Sequence, residues 1–117
     1  MIQNPKSILI VEDERDAAFL LKSYLTRQGY KVQVACDLES AYSLFPEFNP
    51  EIILLDLNLP DGSGFEFLKY LNEDKATCRV IINSAFDDSE ERERARKMGV
   101  NDFLSKPTDF QKISSVL

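Results

Sequence analysis

Short apolar runs of strand length recur along this 117-residue chain, separated by segments in which apolar residues return at helical spacing. Few folds satisfy that alternation, because strands joined through intervening helices build parallel sheets from βαβ units. The runs are Ser7 to Val11, Lys31 to Ala35, Ile52 to Asp56, Arg79 to Ser84 and Asp102 to Ser105. Ile52 to Asp56 is apolar up to its final carboxylate and predicts a central strand, whereas the alternating Lys31 to Ala35 predicts an edge. A helix from about Glu14 to Gln28 carries Ala18, Leu21 and Leu25 on one face and stops at Gly29. A second is capped by Asp37, buries Leu38, Ala41 and Phe45, and stops at Pro46. Leu57 to Gly64 reads as a turn-rich loop leading to a third helix, with Phe67, Leu68 and Leu71 inward.

The fourth helix, about Asp88 to Met98, is charged almost throughout, with Ala95 and Met98 as its anchors. Pairs such as Glu90 with Arg94 and Glu93 with Lys97 add ~0.2 to 0.5 kcal/mol each, against ~1.5 to 3 kcal/mol for burying one leucine. It should be the least firmly held element. Gly99 ends it, and a last helix from Asp109 to Leu117 follows Lys106-Pro107.

Composition removes whole classes of chemistry. A net charge of -6 argues against direct binding to a nucleic-acid backbone. Histidine is absent, which excludes a Ser-His-Asp triad, a histidine-ligated zinc and an intrinsic phosphohistidine. Cys36 and Cys78 have no metal-ligand spacing and read as reduced, packed thiols. No apolar run approaches the ~20 residues that span a bilayer, and no signal-peptide pattern opens the chain, so a cytosolic location is expected.

Glu12-Asp13 closes the first run and Asp56 the third. If those strands are parallel neighbours, the carboxylates meet at the sheet edge where open α/β folds bind ligands. Two carboxylates about 4 Å apart repel by roughly 4 kcal/mol at an effective dielectric of 20, so the cluster needs a cation. Magnesium suits one or two carboxylates, a carbonyl and a phosphoryl oxygen. Glu12 and Asp13 are metal candidates, and Asp56 is both ligand and nucleophile, since a carboxylate can attack phosphorus to give an acyl phosphate. Lys106 would pair with one phosphoryl oxygen and the Ser84 hydroxyl with another. In isolation each has a plainer role: helix-start acids, a turn-starting aspartate, a solvated lysine, a strand-end serine.

Glu12-Asp13, Asp56-Leu-Asn-Leu-Pro-Asp-Gly-Ser-Gly64, Ser84-Ala85 and Lys106-Pro107, each following a successive strand, together resemble the receiver domain of two-component response regulators. The resemblance covers nearly the whole chain. It implies a three-layer, doubly wound (βα)5 flavodoxin-like sandwich with a parallel five-stranded sheet of order 2-1-3-4-5. It further implies Mg2+ held by Glu12, Asp13, Asp56 and the Asn58 carbonyl, with phosphorylation at Asp56. Phosphoryl contacts from Ser84, Ala85 and Lys106, a cis bond before Pro107, and a switch in which Ser84 and Phe103 move also follow from it. Phe103 is equally an edge-strand core aromatic. Asn58 and the bulky Phe86 would tune dephosphorylation.

By the same resemblance the chain is a signalling switch, catalysing only its own phosphorylation and dephosphorylation. Its expected partners are a sensor histidine kinase or histidine phosphotransfer protein, an output domain or downstream protein, and a second copy through the face from the fourth to the fifth helix. Residue 12 is Glu where Asp is commoner in the family, and Ser84 stands where Thr is frequent. Residues 1–117 are expected to form a single receiver domain whose short last helix leaves either a piece trimmed from a longer protein, the expected case, or an incomplete surface. A non-phosphorylated receiver-like interaction module is the alternative. A phosphatase of the haloacid-dehalogenase type would need its nucleophile after the first strand, and a flavodoxin-like cofactor binder would meet repulsion from Glu12-Asp13-Glu14.

Overall fold

The computed structural model describes residues 6–74, 76–85, 89–100 and 102–117. Five parallel strands, β1 (Ser7–Val11), β2 (Lys31–Ala35), β3 (Ile52–Leu55), β4 (Arg79–Ser84) and β5 (Asp102–Ser105), form one sheet in the order β2-β1-β3-β4-β5. Between and after them lie α1 (Arg15–Arg27), α2 (Leu38–Phe48), α3 (Gly64–Glu73), α4 (Ser89–Lys97) and α5 (Phe110–Val116). This is the expected three-layer arrangement, with β3 central and β2 at an edge. Side chains alternate across a strand, so Leu9, Val11, Ile53 and Leu55 pack against α2 and α3 on one face. Ile8, Ile10, Ile52 and Leu54 meet Leu21 and Leu25 of α1 and Ile113 of α5 on the other.

Helix ends follow local chemistry. Gly29 (φ 99) and Gly99 (φ 95) close α1 and α4, and in both the following residue donates to the carbonyl five positions back, Tyr30 to Leu25 and Val100 to Ala95. Asp37 caps α2 by accepting from the Ser40 N–H at 2.7 Å, while the Asp37 N–H donates to Ser40 Oγ at 3.3 Å.

Pro46 does not stop α2, which continues to Phe48. A proline in the last turn forfeits one main-chain bond, to the Tyr42 carbonyl. Phe45 and Phe48 still pack into the apolar layer, and the helix ends at Asn49, left-handed at φ 50. β3 ends at Leu55, one residue short of Asp56, and the loop expected over Leu57 to Gly64 contains a small antiparallel ladder pairing Asn58 with Ser63 and Leu59 with Gly62. Asp109 is the cap of α5 rather than its first residue. The expected α4 start at Asp88 lies outside the described residues. Cys36 is exposed rather than packed, and only Cys78 is partly covered.

In α4 only Ala95 is fully buried, with Met98 packed partly against the core just beyond it. Glu93 pairs with Arg96 at 2.5 Å rather than with Lys97. Two contacts that periodicity does not reveal add to the anchoring: the Arg94 guanidinium lies 4.1 Å from the centre of the Phe65 ring, and that of Arg92 lies 4.7 Å from the centre of Phe103.

Candidate functional site

Parallel pairing of β1 with β3 aligns Val11 with Leu55, and the Asp56 N–H extends that ladder by donating to the Val11 carbonyl at 3.0 Å. The residues that follow each strand therefore share one edge. A carboxylate oxygen from each of Glu12, Asp13 and Asp56 lies within 4.8 Å of the others. Glu12 and Asp56 are buried, at 3% and 5% exposure, whereas Asp13 is open to solvent. Lys106, arriving from the end of β5, places its Nζ 2.5 Å from Glu12 Oε1 and 3.0 Å from Asp56 Oδ2. The remaining oxygens take main-chain donors: Glu14 N–H to Glu12 Oε2 at 3.2 Å and Asn58 N–H to Asp56 Oδ1 at 3.1 Å.

Burial holds the Glu12 carboxyl above its ordinary pKa, and the charge of Asp56 adds to this, while bonds from Lys106 and the Glu14 N–H pull the other way. For Lys106 burial disfavours the ammonium, yet bonds to Glu12 and Asp56 outweigh it and hold the lysine above its usual value. One lysine against three carboxylates leaves negative charge uncompensated. The donor set is all oxygen, and its most exposed member, Asp13, opens the cluster to water; both properties fit a hard dication that retains water ligands.

Gly64 permits the loop after Asp56 to lie this close to the strand. A Cβ there would sit 2.3 Å from the Asp56 carbonyl oxygen and 3.0 Å from Leu57 Cα, and the Gly64 N–H donates to the Leu57 carbonyl at 2.9 Å. Asp61, in the same loop, accepts from the Leu38 N–H at 2.8 Å and the Glu39 N–H at 3.0 Å, tying the loop to the first turn of α2. The Leu38 N–H, helped by that of Glu39, holds the Asp61 carboxyl below the ordinary aspartate value.

Ser84 is fully buried at the end of β4, and its carbonyl accepts from the Lys106 N–H at 2.8 Å. Ala85 is exposed beyond it, and the Lys106-Pro107 peptide is cis. Phe103 is half-buried on β5 beneath Arg92, and Asn58 is exposed in the loop after Asp56. Phe86 lies outside the described residues. Three positions escaped the sequence reading: Asp61, Asn83 and Thr108, the last two joined by a bond from Asn83 Nδ2 to Thr108 Oγ1 at 2.9 Å. Asn83 alone carried a signal, an amide directly following the apolar run Val80-Ile-Ile82.

Fold and site together define a doubly wound α/β protein with an anionic, lysine-bridged centre at the carboxyl edge of its sheet, beside the point where strand order reverses. The family model for the response regulator receiver domain matches residues 8–117, and the chain belongs to that family. The TorCAD operon transcriptional regulatory protein TorR of Escherichia coli (strain K12) is 32% identical over 109 residues, 93% of this chain and 47% of that protein. Among solved structures, the signal receiver domain of a putative Luxo repressor protein from Vibrio parahaemolyticus matches with TM-score 0.91 at 28% identity, covering 97% of this chain and 87% of that one. A response regulator from Burkholderia pseudomallei, crystallised with a phosphorylated aspartic acid, calcium ion and citrate, matches with TM-score 0.88 at 27% identity, covering 96% of this chain and 66% of that one. The chain spans about half the length of the curated relatives it matches. It is a receiver domain of the two-component response regulators, a family whose standard role is to accept a phosphoryl group. Among the described residues no helix is long and apolar enough to cross a membrane.

Proposed function

We propose that Asp56 is the phosphoryl acceptor and that Glu12, Asp13, Asp56 and the Asn58 carbonyl hold magnesium. The observation that carries this reading is the buried Asp56 carboxylate, within 4.8 Å of two other acids and 3.0 Å from the Lys106 ammonium. In transfer from a phosphohistidine, an Asp56 oxygen attacks phosphorus in line with the leaving imidazole nitrogen; the O–P bond forms, the N–P bond breaks, and the imidazole leaves as the neutral base after taking a proton. A divalent cation bound by the three acids would supply positive charge to the phosphoryl oxygens. Lys106, already paired with Asp56, turns to one of those oxygens, while the Ser84 hydroxyl and the Ala85 N–H serve others. Hydrolysis reverses the gain, with water attacking phosphorus to restore the carboxylate and release inorganic phosphate; Asn58 and Phe86 govern that step.

The donor is a sensor histidine kinase or a histidine phosphotransfer protein, since the chain has no histidine of its own. Ser84 and Phe103 pass the new charge to α4, and the altered face from α4 to α5 signals to an output domain, a downstream protein or a second copy. Intact mass after treatment with acetyl phosphate and Mg2+ tests the reading. The wild type gains one phosphoryl group and Asp56→Ala gains none; an unmodified wild type makes the chain an interaction module instead.

A further inference from the structure

Asn83 is a polar residue in an apolar layer. It shares a strand face with Ile81, which packs among Ile10, Leu21, Leu54 and Ile113, and it is 3% exposed. Its Nδ2 donates to Thr108 Oγ1 at 2.9 Å, and its Oδ1 is buried with no partner among the described residues. An aliphatic side chain would leave no such atom stranded, so the amide is disfavoured here except for the bond it makes. Either orientation of the amide can use Thr108, because a hydroxyl both donates and accepts.

That bond falls just past the end of the main-chain ladder. The β4–β5 pairing joins Asn83 with Leu104 and Ser84 with Ser105, and the Lys106 N–H adds one further bond to the Ser84 carbonyl. Main-chain donors face a neighbouring strand only at every second residue, so the next position on that side is Thr108. Thr108 then returns to β4 through its side chain before Asp109 caps α5. Lys106 is thus flanked by two ties to the same strand, and its ammonium reaches Glu12 and Asp56 from the segment between them.

We propose that Asn83 and Thr108 are positioning residues for Lys106: their bond fixes the segment that aims the ammonium at the phosphoryl site. This rests on the assignment of Asp56 as acceptor. It makes the Asn83 amide part of the transfer machinery through the segment it holds.

The test compares the full chain with Thr108→Val, which removes the hydroxyl at constant volume, Thr108→Ser, which keeps it, and Asn83→Leu. Phosphorylation by acetyl phosphate is followed by intact mass, beryllofluoride uptake by 19F NMR, and Mg2+ affinity by calorimetry. Thr108→Val and Asn83→Leu slow phosphorylation and weaken beryllofluoride binding by about tenfold, the usual effect of losing an orienting partner. Thr108→Ser stays within about twofold of wild type, and Mg2+ affinity, held by the acids, is not reduced. Thr108→Val is half-exposed and isosteric, so it keeps the comparison sound if Asn83→Leu folds poorly. A Thr108→Val protein with wild-type rate and beryllofluoride affinity overturns the proposal, as does a Thr108→Ser protein as slow as Thr108→Val. A wild type that takes up neither group overturns the acceptor assignment, and the proposal with it.

Discussion

Lys106→Met removes the ammonium from between Glu12 and Asp56 while keeping the stem that packs beside them. The side chains of Glu12 and Asp56 are only 3% and 6% exposed, and that of Lys106 is 20% exposed. Breaking a fully buried pair costs about 3 to 5 kcal/mol. Glu12 can limit the loss by taking up a proton: starting from its ordinary value of 4.5, that costs about 1.4 kcal/mol per pH unit, or about 3.4 kcal/mol at neutrality. Since the lysine is partly solvated, a destabilisation of about 2 to 3 kcal/mol is expected without metal. An unfolding entropy of about 2.1 cal/mol/K per residue over 117 residues turns this into a fall in Tm of about 8 to 12 °C. Glu12 already titrates above its ordinary value through burial and the Asp56 charge, and losing the Lys106 bond raises it further. A group raised on folding contributes fully below its unfolded pKa and loses that contribution as pH climbs through the folded value, so the deficit is larger at about pH 7.5 than at about pH 5. Excess Mg2+ returns most of it at neutral pH, because the variant binds a dication more tightly than the wild type. Melting followed by circular dichroism, with and without Mg2+, checks all three statements. A metal-free variant melting within about 2 °C of wild type, or equal Mg2+ shifts in the two proteins, would refute the reasoning.

Gly64→Ala drives a Cβ to 2.3 Å from the Asp56 carbonyl oxygen, and the overpacking should cost about 1 to 3 kcal/mol by thermal melting. The displaced loop after Asp56 also weakens Mg2+ binding, measured by calorimetry. Asp61→Asn destabilises α2, as seen by amide exchange at Leu38 and Glu39, whose N–H groups Asp61 now holds. Because the folded pKa of Asp61 is depressed, its contribution is present above the unfolded value and is lost as pH falls through the folded one. The gap between wild type and Asp61→Asn therefore closes on acidification; a gap that widens would contradict the cap. Phosphorylation or beryllofluoride should speed or slow amide exchange across Ser89–Lys97 more than across Arg15–Arg27, and unchanged exchange in α4 would remove it from the switch.

The sheet and most of the acidic centre were legible because both are written in local pattern. Five short apolar runs fix the strands, and the position of an acid at the end of a run fixes which edge it reaches, so Glu12, Asp13 and Asp56 could be brought together without knowing any contact. Pro46 was misread for a local reason overridden by a global one: the proline forfeits one bond, but Phe45 and Phe48 gain burial on either side of it. What stayed hidden was polar pairing at long range. Asp61 meets α2 across 23 residues and Asn83 meets Thr108 across 25, and no periodicity links partners that far apart. Both hidden ties join the Asp56 neighbourhood to something the core does not hold: Asp61 fastens the loop after Asp56 to α2, and Thr108 fastens the Lys106 segment to β4. Hydrophobic burial sets where the strands end but cannot aim a loop side chain at an atom, because it is non-directional. Hydrogen bonds to buried or capped positions can, and this is why the polar exceptions to the apolar pattern gather at the edge of the sheet where the acids meet.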